Sequence, residues 1–227
     1  NLGKNTILLI LHIVEIVSAD SRQVYKKLDV GSAKVGIPGT NRDLTGQPEP
    51  VWIVDGVPQF LIDIAEPNSN FTLVDYQRET YRLIRATWNQ GKIPLLVGGT
   101  GLYIQAITDG YISGGKVDQS LREKLEELSV EELQTRLTDL GGTIIPTDWR
   151  NKRRLIRAIE RTIDGATASQ SQPITGNVHI FILERPFEEQ RALAPAMVQE
   201  RLDLGLVAET QILLDEGIER QWLCSKI

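Results

Sequence analysis

Apolar and polar positions change rhythm twice along this chain. Val14-Glu15-Ile16-Val17-Ser18-Ala19 alternates and then breaks at once into Asp20-Ser21-Arg22-Gln23, which predicts a strand over residues 14–19 with a polar tip. Residues 2–13 are apolar with few turn formers and fit either a short buried helix or a strand. Residues 31–58 are rich in Gly, Pro, Asp, Asn and Thr, which predicts a long irregular excursion. Residues 59–64 read as a second short strand. Residues 71–89 read as a helix, with Thr72 and Asp75 near its start and Gly91 after its end. The continuous apolar run over residues 93–97 is what a strand buried on both faces requires, and Gly98-Gly99-Thr100-Gly101 leads from it into a helix over residues 102–108. Strand, helix, strand, glycine turn and helix in this order predict a parallel α/β sheet.

The second rhythm begins at Asp118. Residues 120–128 and 130–140 are charged and amphipathic, and residues 148–164 form a third, arginine-rich helical window. A Ser/Thr/Gln-rich loop follows over residues 165–176, then a strand candidate at 178–183 and a helical stretch over 187–216, interrupted around Pro195 and Gly205. The expected organisation is an α/β core over residues 1–115 and 177–227, with a helical insertion at 116–176.

A net charge of -5 excludes non-specific nucleic-acid binding by the whole surface but leaves room for a local basic patch. Arg150, Arg154, Arg157 and Arg161 follow i, i+4, i+7, i+11 spacing, which sets them on one helix face. That stripe suits contact with a phosphate backbone, and equally a solvated face paired with Asp148, Glu160 and Asp164. One cysteine and two histidines exclude a disulfide framework and a structural zinc site, and fit a reducing, cytoplasmic setting. The apolar residues 7–17 are interrupted by His12 and Glu15 and fall short of the ~20 a membrane span needs, so neither a membrane segment nor a signal peptide is expected.

In open α/β sheets, ligands bind at the carboxyl ends of strands. Asp20 stands at such an end beside a hydroxyl (Ser21), a guanidinium (Arg22) and an amide (Gln23), a set able to accept a proton, grip a phosphate and read a base edge. A polar strand-to-loop junction explains the same residues without function. Gly98, Gly99 and Thr100 form a second tip, where glycines let a backbone approach a ligand and a new helix points N–H groups at an anion. Gly3-Lys4-Asn5-Thr6 resembles the end of a phosphate-binding loop only poorly, because the hydroxyl comes one place late and the earlier glycine is absent.

Taken together, Ser18-Ala19-Asp20-Ser21-Arg22-Gln23-Val24-Tyr25, Asp29-Val30-Gly31-Ser32-Ala33-Lys34, Leu61-Ile62-Asp63-Ile64, residues 93–103, Arg153-Arg154-Leu155-Ile156-Arg157-Ala158-Ile159-Glu160 and, more loosely, residues 201–214 resemble the tRNA dimethylallyltransferases (tRNA isopentenyltransferases), in that family's order. The resemblance implies a P-loop NTPase-like, ATP-type nucleotide-binding core with a mostly helical inserted domain. It implies transfer of a dimethylallyl group from dimethylallyl diphosphate, accompanied by Mg²⁺, to N6 of adenosine 37 in the anticodon stem-loop of tRNA. Asp20 would take the proton from N6, whose lone pair is delocalised into the ring. Ser21, Arg22 and Gln23 match the segment that holds the target nucleotide, and Arg153, Arg154, Leu155, Ile156 and Arg157 match the tRNA-contacting segment. Thr100, backed by Gly98 and Gly99, would face the bridging oxygen of the diphosphate, where charge grows as it leaves. Lys4 is a further candidate for the diphosphate, no metal ligand is assigned, and a monomer is expected.

The chain departs from the family's pattern in three places. The first strand and the G-x-T-x-x-G-K-[ST] loop are not found, and Gly3-Lys4 lies about three residues too close to Asp20 to end such a loop. Gln59-Phe60 stands where a pair of histidines precedes Leu61-Ile62-Asp63, and a Gly-Tyr-Arg-Glu-type segment is not reached. A chain truncated at both ends is therefore expected to be weakly active or inactive. The alternatives are an adenylate isopentenyltransferase acting on free AMP or ADP, an inactive RNA-binding remnant and a generic P-loop kinase. The helical insertion with its arginines favours tRNA over the first, and the last needs the absent phosphate loop.

Overall fold

The computed structural model describes residues 13–42, 48–110, 118–164 and 173–227. The chain divides into two compact units, Asn1–Thr108 with Ile174–Ile227, and Asp109–Pro173. The first is built on five strands: β1 (Val14–Ser18), β2 (Ile37–Arg42), β3 (Pro48–Val54), β4 (Val57–Phe60) and β5 (Ile93–Val97), in the order β2-β3-β4-β1-β5. β1 runs parallel to β4, with Val17 opposite Phe60, and parallel to β5, with Ser18 opposite Val97. β2, β3 and β4 form an antiparallel meander. The sheet is thus mixed, and the region expected to be an irregular excursion supplies two strands and the start of a third. Asp55 and Gly56 (φ +50° and +82°) close the β3–β4 hairpin, both in the left-handed region that a two-residue type I′ turn demands. β4 stops at Phe60, short of the end expected for it, because Leu61 and Asp63 take left-handed backbone angles and turn the chain away.

Helix α1 (Leu73–Asn89) begins as its sequence predicts: the Thr72 side chain caps the Asp75 N–H, and the Asp75 carboxylate returns the bond to the Thr72 N–H. Tyr76, Leu83 and Ile84 lie on its inner face and join Val17, Phe60, Tyr103 and Leu213 in one core. Helix α2 (Gly101–Thr108) follows β5 and buries Tyr103, Ala106 and Ile107.

β5 differs from expectation. Ile93, Leu95 and Val97 are 57%, 44% and 50% exposed, and only Leu96 packs on the core. Among the described residues β5 pairs with β1 alone, so it is an edge strand with one open face. Pro94, which has no N–H to give a ladder, marks that position.

The second unit packs α3 (Gln119–Glu126), α4 (Val130–Asp139) and α5 (Lys152–Ile163) around Leu125, Leu133, Leu137, Leu155, Ile156 and Ile159. Asp118, the Ser129/Glu132 capping box and Asn151 begin these helices. A short 3₁₀ turn, Pro146–Asp148, precedes α5, so Arg150 lies outside the helix and the stripe starts later than its spacing suggests.

The chain then returns to the first unit. Residues 178–183, expected as a strand, join no ladder and stand exposed, Leu183 completely so. Their apolar run fits a strand, but a strand exists only where a neighbour accepts its hydrogen bonds. Helix α6 (Phe187–Asp203) runs through Pro195 without a break, although a proline there gives no N–H to the helix ladder. Gly205 (φ +98°) separates it from α7 (Leu206–Asp215), and α8 (Arg220–Cys224) follows. Among the described residues no helix is long and apolar enough to cross a membrane.

Candidate active site at the strand tips

The parallel register of β1 and β5 brings their carboxyl ends side by side. The Ala19 N–H donates to the Val97 carbonyl (2.7 Å), and the Thr100 N–H donates to the Ala19 carbonyl (3.1 Å). A Cβ on Gly98 would lie 2.3 Å from the carbonyl carbon and oxygen of Ala19, so this approach requires glycine. Beyond the strands, the Thr100 hydroxyl accepts the Ser21 N–H at 3.0 Å and lies 3.2 Å from the Ser21 hydroxyl. The two tips are therefore stitched by backbone and hydroxyl bonds, and Asp20, Ser21 and Thr100 come together from positions 79 residues apart in the case of Ser21 and Thr100.

One oxygen of Asp20 accepts the N–H groups of Arg22 (2.8 Å) and Gln23 (3.2 Å), which fixes the carboxylate at the start of a tight turn. Its other oxygen has no protein donor among the described residues, and the side chain is half-buried. Arg22 is exposed, as are Gly98 and Gly99, and a Cβ on Gly99 would meet nothing within 4 Å. Behind the tip, Tyr103 stacks on Tyr76 with ring centroids 3.8 Å apart. Burial, then the neighbouring Tyr25, Tyr76 and Asp20, push the Tyr103 phenol above its ordinary value, so it stays neutral. Burial likewise pushes Tyr76 up to about 12.

In the second unit, the α5 arginines divide. Arg153 and Arg154 are exposed, with Arg154 3.8 Å from Asp148. Arg157 instead donates to buried Glu160 at 3.1 Å, and Arg122 grips the same carboxylate through two 2.8 Å bonds. Leu155 and Ile156, expected with the arginines in the RNA-contacting segment, have both side chains buried in the helical core, behind the face that Arg153 and Arg154 share. Lys4 lies outside the described residues. Among those described, no group of three or more His, Cys, Asp or Glu could hold a metal ion.

Sequence reasoning gave no role to Lys34, Asp63 or Glu209, which surround the loop after the tip. Lys34 Nζ bonds the Tyr25 carbonyl, Asp29 and Asp63, and Glu209 accepts the N–H groups of Asp29, Val30 and Gly31. Lys34 and Asp63 fall inside the closely matching segments and Glu209 inside the looser one over residues 201–214, but no spacing in the sequence pairs any of them with the tip.

The fold is that of a P-loop NTPase-like α/β protein, as its likeness to solved structures shows. The sequence model of the IPP transferase family matches residues 23–226, and the chain belongs to that family. A tRNA dimethylallyltransferase of Oceanobacillus iheyensis is 34% identical over 219 residues, covering 90% of this chain and 65% of the relative. One from Streptococcus agalactiae is 34% identical over 215 residues, covering 92% and 62%. The chain thus spans a little under two thirds of the length of these relatives. Among solved structures, the full-length tRNA isopentenylpyrophosphate transferase of Bacillus halodurans superposes with a TM-score of 0.58 at 29% identity, covering 96% of this chain and 67% of that one. A eukaryotic dimethylallyltransferase acting on tRNA shares the fold, with a TM-score of 0.66 at 17% identity over 94% of this chain and 53% of its own.

Proposed function

We propose that this chain carries the adenine-binding and catalytic tip of a tRNA dimethylallyltransferase, a monomeric cytoplasmic enzyme that prenylates N6 of adenosine 37. The observation that carries this reading is the stitched tip: the Thr100 hydroxyl bonds Ser21, the residue next to Asp20, and one Asp20 oxygen takes the Arg22 and Gln23 N–H groups while the other has no donor among the described residues. N6 attacks the first carbon of dimethylallyl diphosphate; the C–N bond forms as the C–O bond breaks, and diphosphate leaves with the electron pair. Asp20 accepts the N6 proton, which restores a neutral amine. A positioned base of this kind contributes about 10²–10⁴-fold. The Thr100 hydroxyl can turn from Ser21 to the bridging oxygen as charge develops there, and the open space at Gly99 leaves room for the diphosphate.

Mg²⁺ would accompany the diphosphate, neutralising its charge, and needs at most one or two protein ligands in such a role. The described residues offer it no protein cage. Exposed Arg153 and Arg154 are the groups available to hold the RNA backbone, since Arg157 is committed to Glu160. This favours tRNA over free AMP or ADP, which needs no such helix.

The test is dimethylallyl transfer to an A36-A37-A38 anticodon stem-loop with dimethylallyl diphosphate and Mg²⁺. It is run on this chain and on one carrying a G-x-T-x-x-G-K-[ST] phosphate loop ahead of residue 13. Transfer by either, falling about 100-fold or more in Asp20→Asn, is the expected result. Transfer to AMP in preference to the stem-loop would favour the free-nucleotide reading, and no transfer by either folded chain would contradict both.

A further inference from the structure

Lys34 is the most completely enclosed charge around the tip: its side chain is 0% exposed. Its ammonium spends all its donors, on the Tyr25 carbonyl (2.7 Å), on Asp29 (2.9 Å) and on Asp63. The second oxygen of Asp63 accepts the indole N–H of Trp52 on β3 at 2.9 Å. Burying a lysine in this way is costly without paired partners and is weak evidence of a stabilising role in itself. The backbone around it is also unusual. Ala33, Leu61 and Asp63 take φ of +53°, +62° and +59°, a region L side chains seldom adopt, and Leu61 does so while buried. Non-glycine residues hold such angles only where surrounding bonds over-determine them, and they gather at functional sites.

What the network holds is the turn over residues 29–34. The carbonyls of Ser32 and Ala33 in that turn accept the Gln23 amide nitrogen, at 3.3 and 3.4 Å. Carbonyls only accept, so the nitrogen of the amide faces the turn and its oxygen must face the other way. There it lies 3.4 Å from the Ser18 hydroxyl, in the same tight turn as Asp20. Asp63 reaches the same residue from below, its N–H donating to the Gln23 carbonyl at 3.1 Å. On the far side, Glu209 of α7 accepts three successive N–H groups of the turn, at 2.8, 2.7 and 2.9 Å. The turn is clamped from both sides, and the Gln23 oxygen, which accepts the Ser18 hydroxyl, is held as a fixed acceptor at the end of β1, in the turn that Asp20 opens.

We propose that the buried Lys34–Asp63 pair is a positioning device for base selection. By locking the 29–34 turn it fixes the Gln23 oxygen toward the tip, which then takes a purine with an exocyclic amino group and rejects one with oxygen at that position. An amino group donates to such an acceptor, whereas an oxygen meets it lone pair to lone pair. The inference rests on the tip being an adenine site.

The experiment is equilibrium binding of two anticodon stem-loops that differ only in adenosine or inosine at position 37. The native chain is expected to prefer adenosine about tenfold, the discrimination one well-placed base contact supplies. Gln23→Ala, Lys34→Met and Asp63→Asn are each expected to reduce that preference to about threefold or less. Circular dichroism and thermal melting report the fold alongside. Should Lys34→Met unfold, Asp63→Asn, which keeps the shape and the acceptor for Trp52, carries the same test. A folded Asp63→Asn chain that keeps the native ratio overturns the inference, even if both loops bind more weakly, because equal loss marks a structural role alone. A native chain with no preference overturns the adenine site, and the inference with it.

Discussion

At the strand tip, order comes from backbone. β1 and β5 end in register, Gly98 lets Thr100 fold onto Ala19, and small hydroxyls close the seam between the two tips. In the helical unit, order comes from buried charge, where Glu160 takes Arg122 and Arg157 together. The first arrangement leaves a carboxylate oxygen on offer beside open space. The second uses up its carboxylate and leaves cations on offer, Arg153 and Arg154. The difference sorts the charged residues of the chain: Asp20 is presented because neighbouring N–H groups hold only one of its oxygens, and Arg157 is withheld because Glu160 holds it.

Breaking the helical unit alone should have the largest effect on stability. Glu160→Ala removes the buried carboxylate that Arg122 and Arg157 share and is expected to cost about 3–5 kcal/mol, read in urea unfolding. Breaking the tip alone should cost less. Gly98→Ala drives a methyl into the Ala19 carbonyl, with an expected loss of about 1–3 kcal/mol and separation of Thr100 from Ser21. Transfer should fall in this variant while the helical unit melts unchanged; equal effects on both units would erase the comparison.

The smallest effect at neutral pH concerns the tyrosine layer behind the tip. Among the described residues the buried Tyr76 hydroxyl has only the Thr80 hydroxyl as a neighbour able to bond it, so Tyr76→Phe should change stability by about 1 kcal/mol or less at pH 7. At high pH the variant should differ. An unfolded tyrosine loses its proton near pH 10, whereas Tyr76 in the fold holds it to about 12. The folded state then binds more protons in that window, so stability is complete below pH 10 and falls as pH rises toward 12. Tyr76→Phe should remove this part of the loss in urea midpoints measured from pH 9 upward; an unchanged alkaline profile would place the titration elsewhere.

Elements fixed by local chemistry were legible in the sequence. β1, the glycine turn and α1 with its Thr72/Asp75 box all follow from periodicity and capping. The meander was missed although Asp55-Gly56 between Val51-Trp52-Ile53-Val54 and Val57-Pro58-Gln59-Phe60 is a strong short-range hairpin signal; the glycines and prolines around it masked the pattern. β5 and residues 178–183 were misjudged for a different reason: how buried or paired an apolar run becomes depends on neighbours that its own residues do not specify. Asp20 and Thr100 stood out as residues at strand ends. Lys34 and Asp63 did not, because their pairing across 29 residues depends on left-handed backbone that no side-chain pattern announces. Glu209, 178 to 180 residues from the N–H groups it accepts, had no local signal at all.

The proposed division between a base-reading tip and a phosphate-holding helix is tested most directly by the salt dependence of stem-loop binding, compared between the native chain and Arg153→Ala/Arg154→Ala. Loss of two phosphate contacts should make the slope of log K against log salt shallower by about 1.4–1.8, with the preference for adenosine at position 37 intact. An unchanged slope, or a slope that changes together with the adenosine preference, would contradict that division.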